Sequence, residues 1–76
     1  MKLPLVSGKK MIKILSIKSF QVVRQRNSHV QMKDAKGRLV TVPVHGEKPV
    51  STGITLKILR GAEISREEFT ELENKV

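Results

Sequence analysis

The chain has no cysteine, no tryptophan and no tyrosine, and its only phenylalanines are Phe20 and Phe69. Without cysteine it has no disulfides, no thiolate nucleophile and no cysteine-type zinc site, and nothing indicates an oxidising compartment. With so few aromatic rings, a platform that binds single-stranded nucleic acid by stacking its bases is not expected. Recognition of a nucleic acid would instead run through its phosphates and its shape.

Long apolar runs are also missing. The stretch from Met1 to Val6 lacks the apolar segment of a signal peptide, so we expect a soluble, cytoplasmic protein with no membrane partner. A chain of 76 residues buries only roughly 60% of the surface that its unfolded form exposes. We therefore expect one domain, residues 1–76, with a thin core.

Acidic residues are scarce in most of the chain. Residues 1–62 carry 13 Lys and Arg against Asp34 and Glu47, whereas residues 63–76 carry Arg66 and Lys75 against five glutamates. A basic body attracts phosphate polyanions and favours nucleic acid as a partner, although a merely solvated basic surface is the plainer interpretation. Two carboxylates and two histidines are a poor set of metal ligands, and the isolated glycines form no phosphate-binding motif, so neither a metal nor a small-molecule cofactor is expected.

Hydrophobic periodicity and capping residues predict the order of elements. Helices are expected over about 7–18, 52–62 and 65–75, and strands over about 20–25, 28–34 and 38–44. Ser7 is a candidate N-cap, and the stretch from Ser65 to Glu68 has the pattern of a capping box. The predicted fold class is α+β, in the order α-β-β-β-α(-α), with a three-stranded antiparallel meander covered by helices on one face.

The turn Ala35-Lys36-Gly37 sets the strand register. With Gly37 in the left-handed conformation, this three-residue loop places Val30 opposite Val42 and Met32 opposite Val40 on one apolar face. His29, Gln31 and Lys33 then project from the other face, together with Leu39, Thr41, Pro43 and His45. Since Pro43 cannot donate a hydrogen bond, the third strand should lie at the sheet edge.

That arrangement suggests a chemistry for His29. RNA carries its own nucleophile, the 2′-hydroxyl, so cleavage needs only a proton acceptor or donor near neutral pH and cations on the phosphate. His29 beside Arg24, Arg26 and Lys33 satisfies that list. The plainer alternative is that an exposed strand face collects polar residues and that two of them happen to be histidine.

Four stretches of the sequence, spanning about residues 3–72, resemble the HicA toxin family. They are Leu5-Val6-Ser7-Gly8-Lys9, the segment from Phe20 through Arg24-Gln25-Arg26-Asn27-Ser28-His29, Val42-Pro43-Val44-His45-Gly46, and Ile58-Leu59-Arg60 before Ile64-Ser65. The resemblance implies a fold similar to the double-stranded RNA-binding domain and cleavage of mRNA as an mRNA interferase. It also implies a HicB-type antitoxin that covers the active surface and keeps the toxin silent in growing cells.

The resemblance also assigns residues. The family's catalytic histidine follows a Gly-Ser pair and matches His29 after Ser28, with Asn27 in place of the glycine; asparagine tolerates a left-handed turn, so the geometry should be kept. Ser28 and His45 are candidates for catalytic support, although His45 could simply end the edge strand. The candidate RNA-binding residues are Lys9, Lys10, Arg24, Arg26, Lys33, Lys36 and Arg38.

Two other classes of function stay open on the sequence. The first is an RNA-binding module of the same fold that does not cleave. The second is a basic interaction protein whose partner is an acidic protein. Loss of cleavage in His29→Ala would identify an enzyme, and a steep dependence of RNA affinity on salt would distinguish RNA from a protein partner.

Overall fold

The computed structural model describes residues 3–76, and its elements follow the predicted order. They are α1 (Gly8–Ile17), β1 (Gln21–Arg26), β2 (His29–Lys33), β3 (Leu39–Pro43), α2 (Thr52–Ala62) and α3 (Arg66–Lys75). Each boundary lies within one residue of the predicted one, and the α+β fold with an antiparallel meander is confirmed. Met1 and Lys2, which begin the predicted domain and the N-terminal stretch, lie outside the described residues.

A serine begins each helix. Its Oγ accepts a hydrogen bond from the backbone N–H three residues later, at 3.1 to 3.4 Å, which satisfies one of the free donors of the first turn. The three capping serines are Ser7, Ser51 and Ser65. The capping box predicted for α3 forms only in part, because the Glu68 carboxylate accepts a hydrogen bond from Lys18 Nζ at 2.6 Å instead of turning back to the cap.

The sheet has the strand order β1-β2-β3 and the predicted register between its second and third strands. Val30 lies opposite Val42 and Met32 opposite Val40, and all four side chains are buried. Gly37 adopts a φ of +86°, the left-handed conformation that the three-residue loop requires. As predicted, β3 is an edge strand.

The three helices cover this apolar face, and their buried residues join those of the sheet in one hydrophobic cluster. We call the opposite side of the sheet, which carries His29, the open face. Two ion pairs tie α3 to α1: Lys10 Nζ lies 2.7 Å from Glu73 Oε2, and Lys18 Nζ lies 2.6 Å from Glu68 Oε2. Of the helices in residues 3–76, none combines the length and the apolarity needed to cross a membrane.

Candidate active site and nucleic-acid interface

His29 is the first residue of β2 and is exposed on the open face. It pairs with Arg26 on β1 and with Pro43 on β3, so it lies on the central strand, at one end of the sheet. A two-residue connection, Asn27-Ser28, joins β1 to β2, and Asn27 has a φ of +54°. The expectation that asparagine would keep the left-handed turn is therefore confirmed, and this turn places Arg26 directly beside His29.

A second arginine of β1, Arg24, lies on the same face, two residues before Arg26 and directly after an irregularity in the strand. Val22 pairs with Met32 but Arg24 pairs with Gln31, so Val23 is an extra residue in the strand, a β-bulge. Because side chains alternate along a strand, Arg24 and Arg26 project with His29 from the open face. Every residue of β1 is exposed, so both guanidinium groups are accessible to a ligand.

A groove of about 710 Å³ runs between β3 and α2, and both histidines of the chain line it. His45 follows β3 in a loop that is held at both ends by backbone hydrogen bonds. Val44 N–H donates to Ser28 O at 2.7 Å, and Val50 N–H donates to Val6 O at 2.8 Å. His45, which was predicted to share a face of the sheet with His29, thus lines the same groove as His29.

Three residues that line the groove were missed by the sequence analysis: Lys48, Ile54 and Lys57. Ile54, Lys57 and Gly61 lie on one side of α2, next to the buried stripe of that helix. The spacing i, i+3, i+7 could have identified this side as a separate helical face.

The start of α1 reaches the same end of the sheet. Gly8 packs so closely against the end of β3 that a Cβ atom there would lie 2.4 Å from the carbonyl oxygen of Pro43. Since Pro43 pairs with His29, the first turn of α1 lies near the candidate site. Lys9 is exposed in that turn and could reach an RNA bound there.

Two of the predicted RNA-binding lysines lie toward the far end of the sheet. Lys33 is four residues along β2 from His29, roughly 13 Å at the usual rise of an antiparallel strand. Lys36 is exposed in the turn that follows. They could contact an RNA that extends along the open face, but they do not surround His29.

Two other predicted RNA-binding residues are engaged within the protein. Lys10 pairs with Glu73 of α3. Arg38 Nε lies 2.7 Å from Asp34 Oδ2, and its Nη1 lies 3.5 Å from Glu63 Oε2. Both residues therefore stabilise the fold, and an RNA phosphate would have to compete with a carboxylate for them.

The ion pair between Asp34 and Arg38 shifts the pKa of both side chains. Burial alone would raise the pKa of the Asp34 carboxyl, whose side chain is 4% exposed, but hydrogen bonds from the Arg38 backbone N–H and guanidinium outweigh burial and lower that pKa below its usual value. The same bond raises the pKa of Arg38. Both members therefore stay charged, and they lock the hairpin turn from Asp34 to Arg38.

Within residues 3–76 neither histidine ring makes a hydrogen bond to the protein, so His29 is free to meet a substrate. Ser28 is half-buried and holds Val44 through its carbonyl oxygen, a positioning role for the backbone of this turn. The described part of the chain has no cluster of three or more His, Cys, Asp or Glu side chains. What the site offers chemically is an imidazole for proton transfer and guanidinium groups for an anion.

The fold and this site define a small basic α+β protein with an exposed histidine beside two arginines. The sequence model of the HicA toxin of bacterial toxin-antitoxin systems matches residues 8–64. Because the match covers more than half of the chain, the protein belongs to the HicA toxin family and is the toxin of such a pair. No curated protein matches the chain. The matched residues include the whole candidate site and end before α3.

Proposed function

We propose that this toxin is a metal-independent endoribonuclease that cleaves mRNA in the cytoplasm with His29 as its catalytic residue. Membership of the HicA toxin family supports the proposal. The observation that carries it is the exposed ring of His29 on the open face, opposite Arg26 and on the same face as Arg24. An imidazole in that setting can reach an RNA strand whose phosphates are held by the arginines.

The proposed reaction needs two proton transfers. The 2′-oxygen of the ribose attacks the adjacent phosphorus while the bond to the 5′-oxygen of the next nucleotide breaks, which leaves a cyclic phosphate and a free 5′-hydroxyl. His29 takes the proton from the 2′-hydroxyl, or gives one to the leaving 5′-oxygen. His45, which lines the same groove, is the candidate for the other transfer. DNA lacks the 2′-hydroxyl and would be bound without being cut.

The arginines have a separate role in this proposal. Negative charge builds up on the non-bridging oxygens of the phosphate as the 2′-oxygen attacks. Arg26, opposite His29, would donate hydrogen bonds to those oxygens. Arg24, two residues earlier in β1 and opposite Gln31, extends the cationic surface along the strand. Removal of one such donor typically lowers a rate by about 10² to 10³.

A toxin with an exposed active face needs a partner that covers it. We propose a HicB-type antitoxin that binds the open face and excludes mRNA from His29. An acidic surface on that partner would match the arginines and lysines of this face. Binding of the antitoxin would keep the toxin inactive until the antitoxin is lost.

The experiment compares His29→Ala with His45→Ala, the candidate for the other proton transfer, and with one control, Gln31→Ala on the same strand and face as His29. The purified proteins are incubated with mRNA in the presence of a chelator, and each gene is also expressed without antitoxin to score growth. We expect His29→Ala to lose cleavage by about 10² to 10⁴ and to lose growth arrest, while its RNA affinity stays within a few-fold of wild type. Gln31→Ala should still cut.

Three other outcomes would contradict the proposal or favour another function. Cleavage by His29→Ala at the wild-type rate would refute the assignment of that residue. A wild-type protein that binds RNA in a salt-dependent way but never cuts it would be a non-catalytic RNA-binding module. An RNA affinity that does not change with salt would favour an acidic protein as the main partner.

A further inference from the structure

We propose that the groove between β3 and α2 binds one unpaired nucleotide near the bond that is cut. The protein would then select single-stranded RNA and recognise one base close to the cleavage site. The inference rests on the proposed ribonuclease function and adds the class of RNA and the place where a base is recognised.

The size and the walls of the groove suit a nucleobase. Its volume of about 710 Å³ lies within the range of about 300 to 1,000 Å³ that is common for small-molecule sites. Leu39 on β3 is 51% exposed and Ile54 on α2 is 38% exposed, and both line the groove. A base inserted between them would cover two large aliphatic side chains that the protein alone leaves open. Aliphatic walls thus take the place of the missing aromatic rings.

The polar residues of the groove select an anionic occupant. Lys48 and Lys57 line it together with His29 and His45, and no Asp or Glu of residues 3–76 does so. A nucleotide places its base in an apolar recess and its phosphate against cations. The groove offers both environments side by side, with His29 at the phosphate end of this arrangement.

The free edge of β3 supplies hydrogen-bonding groups for a base. Val44 N–H bonds to Ser28 O, so the backbone of Val44 points toward β2. Because the direction alternates along an antiparallel strand, the N–H and C=O groups of Leu39 and Thr41 point away from the sheet, toward the groove that these residues line. Pro43 has no N–H to offer. Two donors and their neighbouring acceptors are thus available to the Watson–Crick edge of one base.

A base can use these groups only when it is unpaired. In a duplex the Watson–Crick edges are occupied, and in A-form RNA the deep groove is too narrow for protein side chains. An unpaired base can swing out of the strand into a recess, which is how sequence is usually recognised in RNA. Leu39 lies four residues along β3 from Pro43, the partner of His29, which is roughly 13 Å at the usual rise of a strand. Since His29 lines the other end of the same groove, the recognised base would lie within a few nucleotides of the phosphate that is cut.

The first test follows the amide signals of Leu39 and Thr41 by NMR in the His29→Ala protein. The probes are a single-stranded RNA hexanucleotide, a blunt-ended duplex in which the same six bases are paired, and an acidic peptide that alternates glutamate with valine. We expect the single strand to shift both amide signals and the duplex to leave them unchanged. Equal shifts with the duplex would overturn the proposal. Shifts with the peptide and none with RNA would overturn it in favour of a protein strand that pairs with β3.

The second test maps the cleavage sites of wild type, Ile54→Ala and Ile17→Ala on a pool of random single-stranded RNA. Ile17 is the matched control, since it is 50% exposed on α1 and does not line the groove. We expect Ile54→Ala to weaken the base preference near the cut by about tenfold, the effect of removing apolar contacts from a recognition site. Ile17→Ala should keep the wild-type preference. An unchanged preference in Ile54→Ala would overturn the proposal.

The two proposals fail in different ways. If wild type cuts no RNA, the ribonuclease function fails, while the NMR titration still decides whether the groove takes an unpaired nucleotide. If wild type cuts and Ile54→Ala has the same site preference, only the groove assignment fails.

Discussion

Replacement of Gly8 by alanine should lower the stability of this toxin and disturb its candidate active site. Gly8 lies at the start of α1, where a new Cβ would stand 2.4 Å from Pro43 O and 2.9 Å from the Cα of Val44. Real Cβ atoms do not approach backbone atoms so closely, and the backbone at the end of β3 cannot rotate away as a side chain can. The helix or the strand end therefore has to move.

The magnitude follows from two opposing effects. Alanine is favoured over glycine within a helix by up to about 1 kcal/mol. Overpacking against fixed atoms usually costs about 1 to 3 kcal/mol, and here two contacts are with backbone atoms. We expect a net loss of about 2 kcal/mol, which lowers the melting temperature of a domain of this size by roughly 10 °C. Thermal unfolding followed by circular dichroism measures that shift.

Gly53→Ala is the matched control. Gly53 also lies in the first turn of a serine-capped helix, and no atom lies within 4 Å of the Cβ that alanine would add. That variant should be as stable as wild type or gain up to about 1 kcal/mol. Since Pro43 pairs with His29, Gly8→Ala should also lower the cleavage rate under conditions where the variant is folded. A Gly8→Ala protein with the melting temperature of Gly53→Ala would refute the close approach described here.

Two further predictions concern charges. Arg26→Ala should weaken binding to single-stranded RNA and reduce the slope of log affinity against log salt by about 0.7, the value for one lost phosphate contact, whereas Lys75→Ala at the end of α3 should leave the slope unchanged; a titration at several salt concentrations measures both. Because the folded-state pKa of Asp34 is lowered, its stabilisation is present above the unfolded-state pKa of about 3.9 and is lost as the pH falls through the lower folded-state value. Asp34→Asn keeps an oxygen acceptor for the backbone N–H groups of Lys36 and Arg38 but loses the charge, so its stability at pH 7 should be lower and should fall less between pH 5 and pH 2. Parallel acid-unfolding curves for the two proteins would contradict the ion pair.

The sequence was sufficient for the fold because several local signals agree on it. Ser7 and Ser65 predict where α1 and α3 begin, and the Gly37 turn with the alternating valines predicts the register between β2 and β3; the structure confirms both. The position of His29 on the open face followed from that register alone. The left-handed conformation of Asn27 could also be predicted, since asparagine is one of the few residues that tolerate it.

What the sequence did not predict are features that depend on contacts between distant segments. The bulge at Val23 is decided by pairing with β2, and nothing in the β1 sequence marks it. The ion pairs of Lys10 and Lys18 join α1 to α3 across more than 45 positions of the chain. The groove and its lysines arise only once α2 packs beside the edge of β3, a tertiary arrangement that a local pattern does not contain.

The attachment of α3 to α1 makes the molecule electrically one-sided. The acidic helix pairs with Lys10 and Lys18 on the covered side of the sheet. Within the part of the chain that the structure describes, Arg24, Arg26 and Lys33 on the open face form no salt bridge. A polyanion that approaches through water would experience a torque as well as an attraction, and would arrive already turned toward His29. The last helix, which lies beyond the residues shared with the family model, would thereby orient an approaching polyanion without touching it.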